Sequence, residues 1–122
     1  MTETEEQKII VKWFRSTYPE YRHCLRVSMA GMNLGSGKRA AQMVNHMHSM
    51  GVEQGEADIA ILLRRGNFGA LIIEHKAESQ SHKATDEQVT YLQSHNSTGN
   101  LAVLTRGINA CKSAISDYMA RK

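Results

Sequence analysis

Two apolar runs on either side of a glycine-containing loop constrain the fold of this chain more than any other feature. The runs are residues 58–63 and 70–76, and the loop of residues 64–69 between them contains two glycines and an asparagine. Short runs rich in Ile and Leu that flank such a loop predict an antiparallel hairpin.

Polar side chains stand at the ends of this predicted hairpin. With the turn centred near Asn67, Asp58 is expected opposite Lys76, and Ala60 opposite Glu74. Paired residues share a face of a sheet, and so do residues two apart in one strand. Asp58, Glu74 and Lys76 are therefore predicted on one face, whereas a register slip of one residue would move Asp58 to the other.

Two carboxylates at the ends of apolar strands would repel each other and lose hydration unless a cation neutralises them. Mg²⁺ prefers such oxygen ligands. The alternative is that Asp58 only begins a strand, while Glu74 and Lys76 form the solvated end of the next. The Ile, Leu and Ala content of the strands, with Gly51 and Gly55 before Asp58, favours a functional cluster.

The polar and glycine residues of this region follow a family pattern in order and spacing. They are Gly51, Gly55, Asp58, Glu74 and Lys76, followed by Gln88 on a predicted helix. In these residues the chain resembles the VRR-NUC (virus-type replication-repair nuclease) domain of the PD-(D/E)xK superfamily. Two residues depart from the pattern, since Ala57 replaces the proline of the superfamily name and His75 replaces a usually apolar residue.

The resemblance implies a fold and an activity. It extends from about Glu5 to about Tyr118, so residues 1–122 are expected to form a single VRR-NUC-like domain. The implied fold is an α/β restriction-endonuclease-like core, with a small mixed sheet flanked by helices. The implied activity is Mg²⁺- or Mn²⁺-dependent hydrolysis of DNA phosphodiester bonds.

The resemblance also implies roles for the motif residues. Asp58, Glu74 and the backbone carbonyl of His75 would hold the metal ion. Lys76 would position or deprotonate the attacking water and stabilise charge on the phosphate. Gln88 would orient Lys76 or a bound water.

An acid from the first helix completes the site in the family, and we predict that this acid is Glu6. At about 100° per residue, Glu6 lies inside the apolar arc of the helix predicted over residues 3–16. Glu5 lies at the edge of that arc, and Glu3 projects inward but stands at the fraying end. The alternative is that these glutamates only favour the positive end of the helix dipole.

A basic stretch without acids predicts a surface for phosphate. Residues 21–52 contain no Asp or Glu, and four cations are the candidate DNA contacts: Arg22, Arg26, Lys38 and Arg39. Glycines at 31, 35 and 37 could bring backbone N–H groups close to a phosphodiester. A nucleotide cofactor is not expected, because Gly31 is one residue too far from Gly37 for a Walker loop and Arg39 replaces its Ser/Thr.

Family members of this size resemble phage-encoded homodimers that act on branched DNA, including Holliday junctions. One site in each protomer cuts one strand, so a two-fold dimer suits a four-way junction. A flap or fork substrate is the near alternative, and a catalytically silent nucleic-acid-binding subunit of the same fold is another. A structural or regulatory protein would leave the acid-free stretch unexplained.

Several classes of protein are disfavoured by composition. No apolar run approaches the roughly 18 residues that span a bilayer, and the acidic N-terminus does not resemble a secretory signal. Cys24 and Cys111 are expected as reduced thiols, with a disulfide as the alternative. These features predict a cytoplasmic protein, of a bacterium or a phage-infected host.

Periodicity predicts the remaining elements. Helices are expected over residues 39–50, 85–95 and 108–120, and strands over residues 22–29 and 101–105. Met43, Met47 and Met50 are interpreted as core residues. Val89 and Leu92 are predicted to pack the helix that Thr85 caps.

Overall fold

The structure is a computed structural model that describes residues 1–30 and 34–122. Its helices are α1 (Glu3–Thr17), α2 (Lys38–Ser49), α3 (Asp86–Ser97) and α4 (Ile108–Met119), with a 3-10 helix at Pro19–Cys24. Its strands are β1 (Leu25–Val27), β2 (Ile59–Ile61), β3 (Leu71–Lys76) and β4 (Leu101–Arg106). Gly31, one of the three glycines in the predicted phosphate-binding segment, lies outside the described residues.

The strands form one sheet in the order β1-β2-β3-β4. The pairs β1–β2 and β2–β3 are antiparallel, whereas β3–β4 is parallel and is connected through α3. A parallel pair needs such a crossover connection, while the antiparallel pair needs only a short loop. The prediction of a small mixed sheet flanked by helices is confirmed.

The hairpin is confirmed, but its predicted register is wrong by two residues. Ala60 pairs with Ile72 rather than with Glu74, so continuation of the ladder brings Asp58 opposite Glu74 rather than Lys76. The turn is centred earlier than Asn67, because Arg65 and Phe68 exchange two backbone hydrogen bonds of 3.0 Å across it. Gly66 takes a φ of +57° there, which a glycine adopts without strain. Because the register differs from the prediction by two residues, every side chain stays on its predicted face of the sheet.

The sheet has two different faces. Helices α1 and α4 cover one face, where buried side chains form the larger core: Ile10, Phe14, Ile59, Ile61, Leu71, Ile73, Cys111, Ile115 and Tyr118. Burial of each large apolar side chain of this kind stabilises the fold by about 1.5–3 kcal/mol. Helix α3 covers the other face through a smaller cluster, in which Ile72 packs near Tyr91 and Leu92.

Capping boxes fix the N-terminal ends of two helices. The Thr2 hydroxyl accepts from Glu5 N and Thr2 N donates to the Glu5 carboxylate. Thr85 and Gln88 form the same pair of bonds at α3, as predicted for Thr85. Each cap contributes about 1 kcal/mol, so the first turn of α1 is held rather than frayed.

Helix α2 differs from its prediction. It buries no side chain, and Met43 and Met50 are 46% and 72% exposed, so they are not core residues. Val89 of α3 is 40% exposed, which also contradicts its predicted packing. Periodicity identified the apolar faces of these helices, but it could not show whether another element covers them.

Three smaller expectations are resolved by the structure. Strand β1 begins only at Leu25, because the 3-10 helix that starts at Pro19 occupies the residues before it. Cys24 and Cys111 are free thiols, in agreement with the expected reduced state. Among the described residues, no helix combines the length and apolar character needed to cross a bilayer.

Gly55 allows the segment before β2 to approach the first turn of α3. It has a φ of +83°, and a Cβ on it would lie 2.6 Å from Glu87 C and 2.9 Å from Gln88 N. Gly51 has a similar φ of +106°, but a Cβ there would meet nothing within 4 Å. A substitution at Gly51 therefore introduces backbone strain alone, whereas a substitution at Gly55 introduces both backbone strain and overpacking.

We expect Gly55→Ala to destabilise the protein more than Gly51→Ala. Gly51→Ala carries only the strain of positive φ, about 1–2 kcal/mol, whereas Gly55→Ala adds overpacking of about 1–3 kcal/mol. Urea unfolding of both variants measures the difference. Equal free energies of unfolding would contradict the close approach of residue 55 to α3.

Candidate metal centre

Three carboxylates meet at one end of the sheet. Glu3 comes from the first turn of α1, Asp58 directly precedes β2, and Glu74 lies in β3. One oxygen of each lies within 4.8 Å of the others. This spacing allows all three to coordinate one divalent cation.

The β2–β3 hairpin orients two of these acids. Asp58 Oδ2 accepts a hydrogen bond of 2.8 Å from His75 N, which fixes its carboxylate beside Glu74. Because residues of β3 alternate between faces, Glu74 and Lys76 point towards α3 with Ile72, and His75 points towards α1. The structure therefore brings the predicted residues Asp58, Glu74 and Lys76 together.

Glu74 is the most constrained acid of the cluster. It is 1% exposed, and its Oε2 accepts a 3.0 Å hydrogen bond from Gln88 Nε2. Its Oε1 is buried and has no hydrogen-bond partner among the described residues. Burial, followed by the charge of Asp58, raises the pKa of Glu74 to about 8, against the opposing effect of Lys76.

The unpartnered oxygen of Glu74 fits a cation ligand. A buried acceptor without a partner costs about 1–3 kcal/mol, and two adjacent carboxylates add repulsion. A divalent cation would remove both penalties. The hard oxygen donors of Glu3, Asp58 and Glu74 match the ligand preferences of Mg²⁺ and Mn²⁺.

Gln88 connects the α3 cap to the site. Its Oε1 accepts from Lys76 Nζ at 3.1 Å and from Thr85 N at 2.9 Å, while its Nε2 donates to Glu74. Lys76 Nζ lies 3.5 Å from Glu74 Oε2 and 3.9 Å from Glu3 Oε1. The capping box thus positions Gln88, and Gln88 holds the Lys76 ammonium beside the acids.

Glu6, predicted as a metal ligand, lies elsewhere. Its Oε1 is 2.7 Å from His75 Nε2, and its Oε2 accepts from Glu78 N at 3.1 Å. His75 Nδ1 in turn lies 2.9 Å from Thr105 Oγ1. Both Glu6 oxygens are used in this buried network, and the structure places Glu3 in the carboxylate cluster instead.

The helical wheel could not separate Glu3 from Glu6, since both project inward. From sequence Glu3 is the weaker candidate for a metal ligand, because helix ends fray. In the structure the Thr2–Glu5 capping box holds this turn. The bond from Ser79 Oγ to Met1 O also ties the start of the chain to the segment after β3. The polar surroundings that His75 needs are supplied by Glu6 and Thr105, which the sequence pattern did not identify.

Arg106 also contributes to this region, although the sequence pattern did not identify it. Its guanidinium donates to the carbonyls of Ala77, Gln80 and His82, and it thereby folds the segment after β3 back over the sheet end. This brings His82 Nδ1 to 3.9 Å from Glu3 Oε2. Only the tertiary structure shows that these groups meet.

The four predicted DNA contacts lie on three different elements. All four are exposed. Arg26 pairs with Ala60 and so lies on the α3 face, which also carries Asp58 and Glu74. Lys38 and Arg39 begin α2, and Arg22 lies in the 3-10 helix beside α1.

No protein-family model and no curated protein matches this chain. Its structure is similar to a solved structure described as a VRR_NUC domain protein, with a TM-score of 0.77 and 24% sequence identity. The similarity covers 98% of this chain and 88% of that chain. It confirms the restriction-endonuclease-like α/β fold that the sequence resemblance implied.

The raised pKa of Glu74 predicts that cation binding releases a proton. Between its ordinary pKa of 4.5 and about 8, the folded, metal-free protein keeps a proton that the unfolded chain loses, so its stability falls as pH rises through this range. Binding must displace that proton. Mn²⁺ affinity should therefore increase with pH up to about 8, with release of about one proton at neutral pH.

Calorimetric titration with Mn²⁺ in buffers of different ionisation enthalpy measures this proton release. In Glu74→Gln the release should disappear. An affinity that does not change with pH below about 8 would contradict the proposed displacement.

We expect Glu3→Gln to weaken Mn²⁺ binding roughly tenfold or more, because it replaces one of the three candidate carboxylate ligands with a neutral amide. Glu5→Gln is the matched control, since it removes the same charge from the same helical turn outside the cluster. Calorimetry of both variants decides between ligation and a general effect of charge at the helix end. Equal affinities would remove Glu3 from the centre.

Proposed function

We propose that this protein is a divalent-metal-dependent nuclease of the VRR-NUC type, which hydrolyses phosphodiester bonds of structured DNA. The observation that carries the proposal is the cluster of Glu3, Asp58 and Glu74 with Lys76 held beside it. The similarity of fold to a VRR_NUC domain protein supports the same assignment.

In the proposed site, Glu3, Asp58 and Glu74 would hold Mg²⁺ or Mn²⁺ together with the backbone carbonyl of His75. The bound ion supplies Lewis acidity, which polarises the phosphate and lowers the pKa of a coordinated water. The hydrogen bond from His75 N to Asp58 keeps one carboxylate in place before the ion arrives. Such preorganisation limits the rearrangement needed during the reaction.

Lys76 acts on the substrate rather than on the ion. Gln88 holds its Nζ at 3.1 Å, at the edge of the carboxylate cluster. From this position the ammonium can donate a hydrogen bond to a phosphate oxygen as negative charge develops, or orient the attacking water. Gln88 is the positioning residue for both Lys76 and Glu74.

We further propose that the substrate is branched DNA, such as a Holliday junction, and that the protein acts on it as a homodimer. The described part of each chain has one such site, which would cut one strand, and a two-fold dimer matches the symmetry of a four-way junction. Exposed apolar side chains provide area that a second copy could cover: Met29, Met43 and Met50. Flap or fork DNA is the alternative substrate.

A catalytically silent DNA-binding subunit is the second candidate function. The buried, unpartnered Oε1 of Glu74 argues against it. Burial beside Asp58 raises the pKa of Glu74 to about 8, and this cost of ionising the acid pair is offset by a bound cation but not by DNA binding alone.

We expect purified Glu74→Ala to lose metal-dependent cleavage but to bind DNA within a few fold of wild type. The carboxylate holds the ion, whereas affinity for DNA comes mainly from contacts between cations and phosphates. Cleavage is measured with Mg²⁺, Mn²⁺ or EDTA on four-way junctions, flaps, forks and linear duplexes. Paired incisions in opposite strands of the junction are the expected sign of a two-fold dimer.

Glu74→Gln provides the isosteric control, since it keeps the volume of the buried side chain. Full cleavage by either folded variant would contradict the site. DNA binding by wild type without cleavage in any metal would favour the silent subunit. Single, unpaired nicks on every substrate would contradict the dimer.

A further inference from the structure

An open groove of about 690 Å³ runs along the exposed side of α1. Four cations line it: Lys8, Lys12, Arg15 and Arg22. Val11 and Val27 also contribute to its walls, and no acidic residue of the described chain lines it. Its chemistry is therefore that of a binding surface for an extended anion.

The three cations from α1 form a stripe. Lys8, Lys12 and Arg15 are spaced four and three residues apart, so they lie on one side of the helix. The spacings correspond to about 6 Å and about 4.5 Å along the axis. Within the described residues, none of the groove cations pairs with an acid.

Unpaired like charges at this spacing do not help the fold. Two cations four residues apart destabilise a helix by about 0.2–0.5 kcal/mol. These side chains are also exposed, so they contribute nothing to the core. An anionic ligand that contacts these cations would offset their mutual repulsion.

The groove reaches the first turn of α1. Thr4 lines its N-terminal end, and the preceding residue, Glu3, belongs to the cluster. From Thr4 to Arg15 the helix rises about 16 Å. One strand of DNA carries a phosphate at every nucleotide, so a groove of this length can contact several phosphates.

We propose that this groove binds the sugar–phosphate backbone of one strand of the DNA substrate. Lys8, Lys12, Arg15 and Arg22 contact successive phosphates, while Val11 and Val27 contact sugar carbons. The contacts do not read base sequence. This assignment rests on the proposed nuclease function, and it adds a DNA contact surface separate from Lys38 and Arg39.

The double variant Lys8→Gln/Lys12→Gln tests the groove, because glutamine keeps the helix propensity of lysine. Its matched control is Arg64→Gln/Lys122→Gln, which removes the same charge from two exposed residues outside the groove. Affinity for fluorescently labelled junction DNA is measured by anisotropy in EDTA over a series of salt concentrations.

We expect the slope of log affinity against log salt to become less steep by about 1.4–1.8 in the groove variant, since each phosphate contact contributes about 0.7–0.9. Affinity at about 0.1 M salt should fall roughly tenfold or more. The control should change neither quantity by as much.

The outcomes separate the two proposals. If wild type cleaves junction DNA and the groove variant keeps the wild-type slope, the groove assignment is overturned while the nuclease function stands. An equal loss in the control also overturns it, because the effect is then one of total charge. If wild type neither binds nor cleaves any DNA, the proposed function fails and the groove assignment with it.

Discussion

The pairing of β2 with β3 determines what the candidate metal centre contains. Ile59 lies opposite Ile73, so the next step of the ladder brings Asp58 and Glu74 side by side at the end of the sheet. A slip of one residue would point Asp58 at the α1 core, where a carboxylate would be buried without compensation. The apolar faces on both sides of β3 hold this register, since all six of its residues are buried.

The buried Glu6–His75 pair connects α1 to this strand. The 2.7 Å contact, with the further bonds to Thr105 and Glu78 N, satisfies polar groups in an apolar core. Such networks contribute little net stability, but they exclude other arrangements because any shift leaves a buried group unpaired. Glu6 lies about one turn from Glu3, so a helix held at Glu6 also delivers Glu3 to the carboxylates.

Features that depend on local sequence pattern were predicted correctly. Features that depend on where an element lies in the folded protein were not. The hairpin, the Thr85 cap and the shared face of Asp58, Glu74 and Lys76 follow from alternation and turn chemistry. The register error came from the turn, which Gly66 centres earlier than expected. The choice of Glu6 over Glu3 failed for another reason: a helical wheel gives direction around an axis, not the point where the helix meets the sheet. The exposed methionines of α2 show the same limit.

Acidic and basic side chains are each concentrated in one part of this molecule, although its net charge is only +3. Three carboxylates gather at the start of α1, and four cations follow along its exposed side. Without a cation the carboxylates repel a phosphate that approaches from the groove, and with a divalent cation most of that repulsion is removed. In the proposed function, metal and DNA should therefore strengthen each other's binding by the same factor, because linkage between two sites is reciprocal. Productive DNA binding would then depend on the ion that the chemistry also requires.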